Sequence, residues 1–98
     1  MWVLQRSDAD GEPLIFRVPA GAVRTMGRSP GADLTVDAAL VSRVHCRLEA
    51  GTDSVDVVDL ESTNGTYVND TRVVRARLAH GDRLKIGRLE LRILRADD

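Results

Sequence analysis

Apolar residues in this chain recur mostly at every second position, in short runs broken by glycine, proline, asparagine and aspartate. Spacing of three and four, which would mark an amphipathic helix, is hard to find. Residues 2–6 (Trp-Val-Leu-Gln-Arg) predict a first strand, and residues 7–13 a turn-rich loop. Leu14 to Val18 predict a second strand, ended by Pro19-Ala20-Gly21, and Val23 to Met26 a third that runs into Gly27. From Val44 to Leu48 the pattern alternates, with Val44, Cys46 and Leu48 assigned to one face and His45, Arg47 and Glu49 to the other. Val55 to Leu60 alternates in the same way. Residues 66–68 and 72–74 flank Asn69-Asp70-Thr71, a hairpin signal, and residues 84–86 and 89–94 flank a second one at Gly87-Arg88. Short strands with closely spaced turns predict an all-β sandwich. There is no internal repeat, low-complexity tract or linker, so residues 1–98 are read as a single domain, with 96–98 expected to fray.

Composition narrows the class. A chain of 98 residues with 43% apolar content suffices for one core, burying roughly two-thirds of the surface its unfolded form exposes. The single cysteine, Cys46, excludes an intrachain disulfide and is expected in the core. No apolar run approaches the ~20 residues of a spanning helix, and the first residues lack the pattern of a signal peptide. An intracellular protein with no membrane contact is therefore expected. The net charge is −1, with acidic and basic residues interleaved. No basic face for nucleic acid is evident. Lys85 is the only lysine, so nearly all the cationic groups are arginine forks, suited to bidentate oxyanion contacts.

Two stretches concentrate hydroxyl, amide and guanidinium groups: Gly27 to His45 and Glu61 to Gly65. A hydrolase triad of Ser42, His45 and Asp59 is the enzymatic alternative. It lacks a Gly-x-Ser-x-Gly elbow, and in an extended segment Ser42 and His45 would face opposite ways. Two histidines and one cysteine at unrelated spacing make no metal set, and no cofactor fingerprint is present. The arginines between 72 and 77 are taken as a solvated face, with attraction of an acidic partner as the alternative, and His80 as an exposed turn residue.

Taken in order, Gly27-Arg28, Ser42-Arg43-Val44-His45, Ser62-Thr63-Asn64-Gly65-Thr66 and Val68-Asn69 resemble the forkhead-associated (FHA) domain. Asp59-Leu60, Leu78, Gly81-Asp82 and Ile86-Gly87 agree, and the resemblance spans roughly residues 3–94. It implies two twisted sheets of about eleven strands, with binding loops at one end, and recognition of phosphothreonine peptides through arginine. Carried over by position, Arg28 would grip the phosphate and Ser42 would donate its hydroxyl to it. Arg43 would contact phosphate or peptide backbone, and Thr63 would lie beside the phosphate and the threonine methyl. Asn64 would hydrogen-bond the peptide main chain. Gly27, His45, Gly65 and Asn69 are assigned to support of the site, Asn69 with a plain turn role as its alternative. Leu40 lies near where some relatives place a charged residue that reads the third position after the phosphothreonine. An apolar side chain there argues against an acidic preference at that position. A module that docks its partner without phosphate is the competing function. Oligomeric state is left open.

Overall fold

The computed structural model describes residues 1–9 and 11–96, so the end of the predicted fraying segment, residues 97–98, lies outside the described residues. Eleven strands follow one another: β1 Trp2–Arg6, β2 Ile15–Val18, β3 Val23–Gly27, β4 Leu34–Thr35, β5 Cys46–Ala50, β6 Val55–Asp59, β7 Thr66–Val68, β8 Thr71–Val73, β9 Arg75–Leu78, β10 Arg83–Ile86 and β11 Leu89–Arg95. They form a six-stranded sheet in the order β2-β1-β11-β10-β7-β8 and a five-stranded sheet in the order β4-β3-β5-β6-β9. All neighbours are antiparallel except β3 and β4.

The alternation in the sequence decides which face is buried. Trp2 and Leu4, Cys46 and Leu48, Val55 and Val57, Leu84 and Ile86, and Leu89, Leu91 and Ile93 point inward and fill the space between the sheets. Burying an aliphatic side chain of this kind is worth about 1.5–3 kcal/mol, and the facing sets make one continuous cluster. Trp2 satisfies its ring N–H on the Gly51 carbonyl at 2.8 Å. Among the described residues no buried side-chain nitrogen or oxygen lacks a hydrogen-bond partner.

Two expectations are corrected, at Val44 and Ala96, and two strands, β4 and β9, go beyond those expected. The strand expected from Val44 begins at Cys46: Val44 is 44% exposed, while His45 is fully buried beside the buried Cys46. Two hydrogen bonds draw the His45 ring inward and break the alternation there. Strand β9 lies outside the expected strands, and its Arg75 and Arg77 side chains are exposed, in keeping with the solvated face expected of them. Its other two residues, Ala76 and Leu78, carry the inward face, half-buried and buried. Strand β4 is two residues long and gives no periodic signal. Ala96, expected to fray, donates its backbone N–H to the Met1 carbonyl at 2.9 Å, pinning the two ends of the fold together.

The hairpin expected around residue 69 is present with a two-residue turn, Val68 pairing with Thr71. Asn69 and Asp70 both have positive φ, 47° and 71°, as the primed turns of tight hairpins require.

Candidate functional site

Three connections meet at one end of the sandwich: residues 28–33 between β3 and β4, 36–45 between β4 and β5, and 60–65 between β6 and β7. Gly27, the last residue of β3, allows the first two to touch. A Cβ at Gly27 would lie 2.1 Å from the Arg43 carbonyl oxygen, so no other residue fits without moving backbone. Two main-chain hydrogen bonds follow at once. The Arg28 N–H donates to the Ser42 carbonyl at 2.9 Å and the Ser29 N–H to the Arg43 carbonyl at 3.0 Å. These rungs set Arg28 beside Ser42.

The third connection is tied to the second by side chains. The Thr63 N–H donates to Ser42 Oγ at 3.1 Å, and Asn64 Nδ2 donates to the Leu40 carbonyl at 3.0 Å. Buried His45 bridges both: its Nδ1 accepts from the Ser42 N–H at 3.0 Å and its Nε2–H donates to the Gly65 carbonyl at 2.8 Å. With both ring nitrogens engaged on backbone groups, neither is free to act as a base towards Ser42 Oγ. The extended-strand argument against a triad is superseded, because Ser42 and His45 are adjacent, but the triad itself does not form. Asp59 is also committed elsewhere.

Sequence reasoning quoted Asp59 and Ser62 without giving either a part in holding this loop. Asp59 Oδ1 accepts from Ser62 Oγ at 2.5 Å and from Thr66 Oγ1 at 2.8 Å, while Ser62 Oγ accepts from the Gly65 N–H at 3.0 Å. Burial pushes the Asp59 carboxyl up. Hydrogen bonds from the Ser62 and Thr66 hydroxyls and the Ser62 N–H, with the nearby His45, outweigh it and hold it below 3.8. The signal in the sequence was the spacing Asp-x-x-Ser, which suits a side chain folding back on its own turn. Gly65 has φ of 89°, a left-handed angle that glycine adopts at little cost.

Arg28, Leu40, Val41, Ser42, Thr63 and Asn64 line a shallow depression of about 200 Å³. A second, of about 280 Å³, adjoins it and is lined by Arg28, Ser29, Pro30 and Arg43. Arg28 belongs to both. Its side chain is exposed and makes no ion pair, as is also true of Arg43. The candidate contact residues therefore gather around the unneutralised Arg28 guanidinium, with that of Arg43 at the border. Asn69 does not join them. It sits at the far end of β7, where Nδ2 donates to Asp82 and Oδ1 accepts from the Arg83 N–H. Cys46 lies in the core below, where burial, with the Asp59 carboxylate beside it, pushes its thiol up to about 12.

A sequence model of the FHA domain matches residues 24–87, which include every one of these loops. The chain belongs to the FHA domain family. Glycogen accumulation regulator GarA of Mycolicibacterium smegmatis is 46% identical over 91 residues, 91% of this chain and 54% of that protein. This FHA chain spans about half the length of the curated relatives it matches. Among solved structures, the FhaA FHA domain complexed with the intracellular domain of Rv3910 superposes with a TM-score of 0.82 at 30% identity, covering 95% of this chain and 99% of that one. Another, from a structural and functional analysis of phosphothreonine-dependent FHA domain interactions, also has a TM-score of 0.82 and 30% identity, over 99% and 98%.

Proposed function

We propose that this chain is a non-catalytic module that captures phosphothreonine on partner proteins inside the cell, in serine/threonine kinase signalling. The observation that carries the reading is the unpaired Arg28 guanidinium on the same rim as the Ser42 hydroxyl. The Ser42 oxygen already accepts from Thr63, so its single O–H proton is free to donate. Arg28 supplies a permanent charge and several donors to phosphate oxygens. Asn64 spends one amide proton on Leu40 and keeps its oxygen and second proton for a peptide main chain. Arg43 stands at the adjoining depression and Thr63 at the rim, where a ligand methyl would pack. A related FHA domain studied for phosphothreonine-dependent interactions supports the choice of ligand.

A phosphate carries about −1.5 to −2 charges at neutral pH. Two or three charge-assisted bonds at roughly 1.5–3 kcal/mol each, less the ordering of the peptide, give about micromolar affinity. The threonine methyl adds only about 0.8 kcal/mol by burial, about fourfold over phosphoserine.

The test is an oriented phosphothreonine peptide library followed by fluorescence anisotropy on selected peptides. Phosphorylated peptides bind, their unphosphorylated forms lose most affinity, and Arg28→Ala costs about 2–5 kcal/mol. A partner held equally well after dephosphorylation and by Arg28→Ala would assign the chain to phosphate-independent docking instead.

A further inference from the structure

Arginine supplies nearly all of the cationic charge, and most of those side chains have assigned partners. Arg6 pairs with Asp8, Arg47 with Glu49, Arg75 with Glu49 and Asp56, Arg77 with Asp56, Arg83 with Asp70 and Glu90, and Arg95 with Asp53. Arg24 and Arg92 donate to carbonyls. Among the described residues, the arginine side chains left without hydrogen bond or ion pair are Arg17, Arg28, Arg43, Arg72 and Arg88. All but Arg17 belong to the end that carries the binding loops. Arg72, on β8, lays its guanidinium over Gly65, with Nε 2.6 Å from where a Cβ on that glycine would stand. Gly65 directly follows Asn64. Arg88 follows Gly87, whose Cα packs against the backbone of residues 39–40. Away from the loops, every arginine but Arg17 thus has a carboxylate or carbonyl partner, whereas Arg28, Arg43, Arg72 and Arg88 have none.

We infer that Arg72 is a specificity-determining residue that reads a second anionic group on the ligand, a carboxylate or another phosphate close in sequence to the phosphothreonine. This rests on the phosphothreonine reading above. Arg28 is committed to the first phosphate. Arg72 stands across the Asn64-Gly65 step, and a peptide lying along Asn64 carries its flanking side chains past it. An extended peptide advances about 3.3 Å per residue, so one position within about four residues of the phosphothreonine comes within reach of the guanidinium. Leu40 presents an apolar side chain, 48% exposed, on the same rim, so it and Arg72 select at different flanking positions. Asp70, the carboxylate nearest to Arg72 in sequence, pairs with Arg83 instead, and Glu61 forms no ion pair with any of these arginines.

The experiment measures anisotropy with a phosphothreonine peptide of neutral flanks and with variants carrying one glutamate, or one phosphoserine, at each of the four positions on either side. The glutamate and phosphoserine arms distinguish the source of the second anion. At one position the added anion tightens binding by about three- to fivefold, as for exposed charge pairs. The gain shrinks between about 0.05 and 0.5 M salt. Arg72→Gln abolishes the gain yet binds the neutral peptide as the wild type does, and Arg72→Lys restores part of it. Equal unfolding midpoints for the three proteins show that the fold is kept. A gain absent from every position, or one that survives in Arg72→Gln, overturns this inference while leaving phosphothreonine capture intact. If the wild type fails to bind the neutral phosphopeptide at all, the proposed function falls, and this inference with it.

Discussion

The hydroxyl oxygen of Ser42 accepts a hydrogen bond from the Thr63 backbone N–H at 3.1 Å. One atom therefore holds two loops together and presents a proton to the depression between them. Removing it with Ser42→Ala is expected to lower stability by about 0.5–1.5 kcal/mol, for the lost cross-loop bond, and phosphopeptide binding by about 1.5–3 kcal/mol. Thr63→Ala keeps the backbone donor and should leave stability within about 0.5 kcal/mol. Urea unfolding and calorimetric titration of the two variants separate these effects.

Gly27→Ala is expected to be more damaging than its size suggests. The added carbon would stand 2.1 Å from the Arg43 carbonyl oxygen and 2.9 Å from Val44 Cα. Backbone cannot rotate away as a side chain can, so overpacking of about 1–3 kcal/mol or more is expected. The rungs that join Arg28 to Ser42 and Ser29 to Arg43 would part, and binding should fall further than stability does. Denaturant midpoints set beside phosphopeptide affinity test this.

Asp59 gives the fold a defined response to acid. Its folded carboxyl lies below its ordinary value of 3.8, so folding favours the ionised form. That contribution is fully present above the unfolded value and is lost as pH falls through the lower folded one. Asp33 and Glu49 are shifted in the same direction, by hydrogen bonds from Thr25 and from Arg75 and Arg47 respectively. Asp59→Asn should be less stable at neutral pH and should lose stability less steeply between about pH 5 and 2.5. Urea titrations across that range decide it.

The Cys46 thiol, pushed up to about 12 by burial and the Asp59 carboxylate, is almost wholly protonated at neutral pH. Since the thiolate is the reactive form, alkylation by iodoacetamide should be undetectable in the native protein and rapid in urea. Mass spectrometry of the two samples checks this. Native labelling at a rate near that of a free thiol would mean that the core around β5 opens readily.

Much of the sheet structure was legible because alternation is a local property. Trp2 to Arg6 and Thr66 to Val68 coincide with β1 and β7, and the Asn69-Asp70 turn shows the backbone angles its sequence suggests. Strand β9 was not legible, since the partners that neutralise Arg75 and Arg77, Glu49 and Asp56, lie on other strands. The inward ring of His45 was missed for the same reason. Its acceptor and donor, Gly65 and Ser42, come together only once the loops do. The candidate site was visible as an order of motifs rather than as a geometry. Arg28, Ser42, Thr63 and Asn64 share a rim and Arg43 borders it. Asn69, named in the same breath by the motif order, braces Asp82 and Arg83 at the other end of its strand. The unneutralised state of Arg72 could be seen only once the folded structure showed which arginines reach a carboxylate and which do not.

The bond between Ala96 and Met1 has a practical meaning for anything joined to this chain. Strand β11 starts just after the Gly87-Arg88 turn, beside the recognition loops, and runs seven residues to Arg95, which pairs with Trp2. At about 3.3 Å per residue, Met1 and Ala96 lie side by side roughly 20 Å from that turn. A neighbouring domain, a tether or a solid support can therefore be fused at either terminus without passing across the mouth of the site.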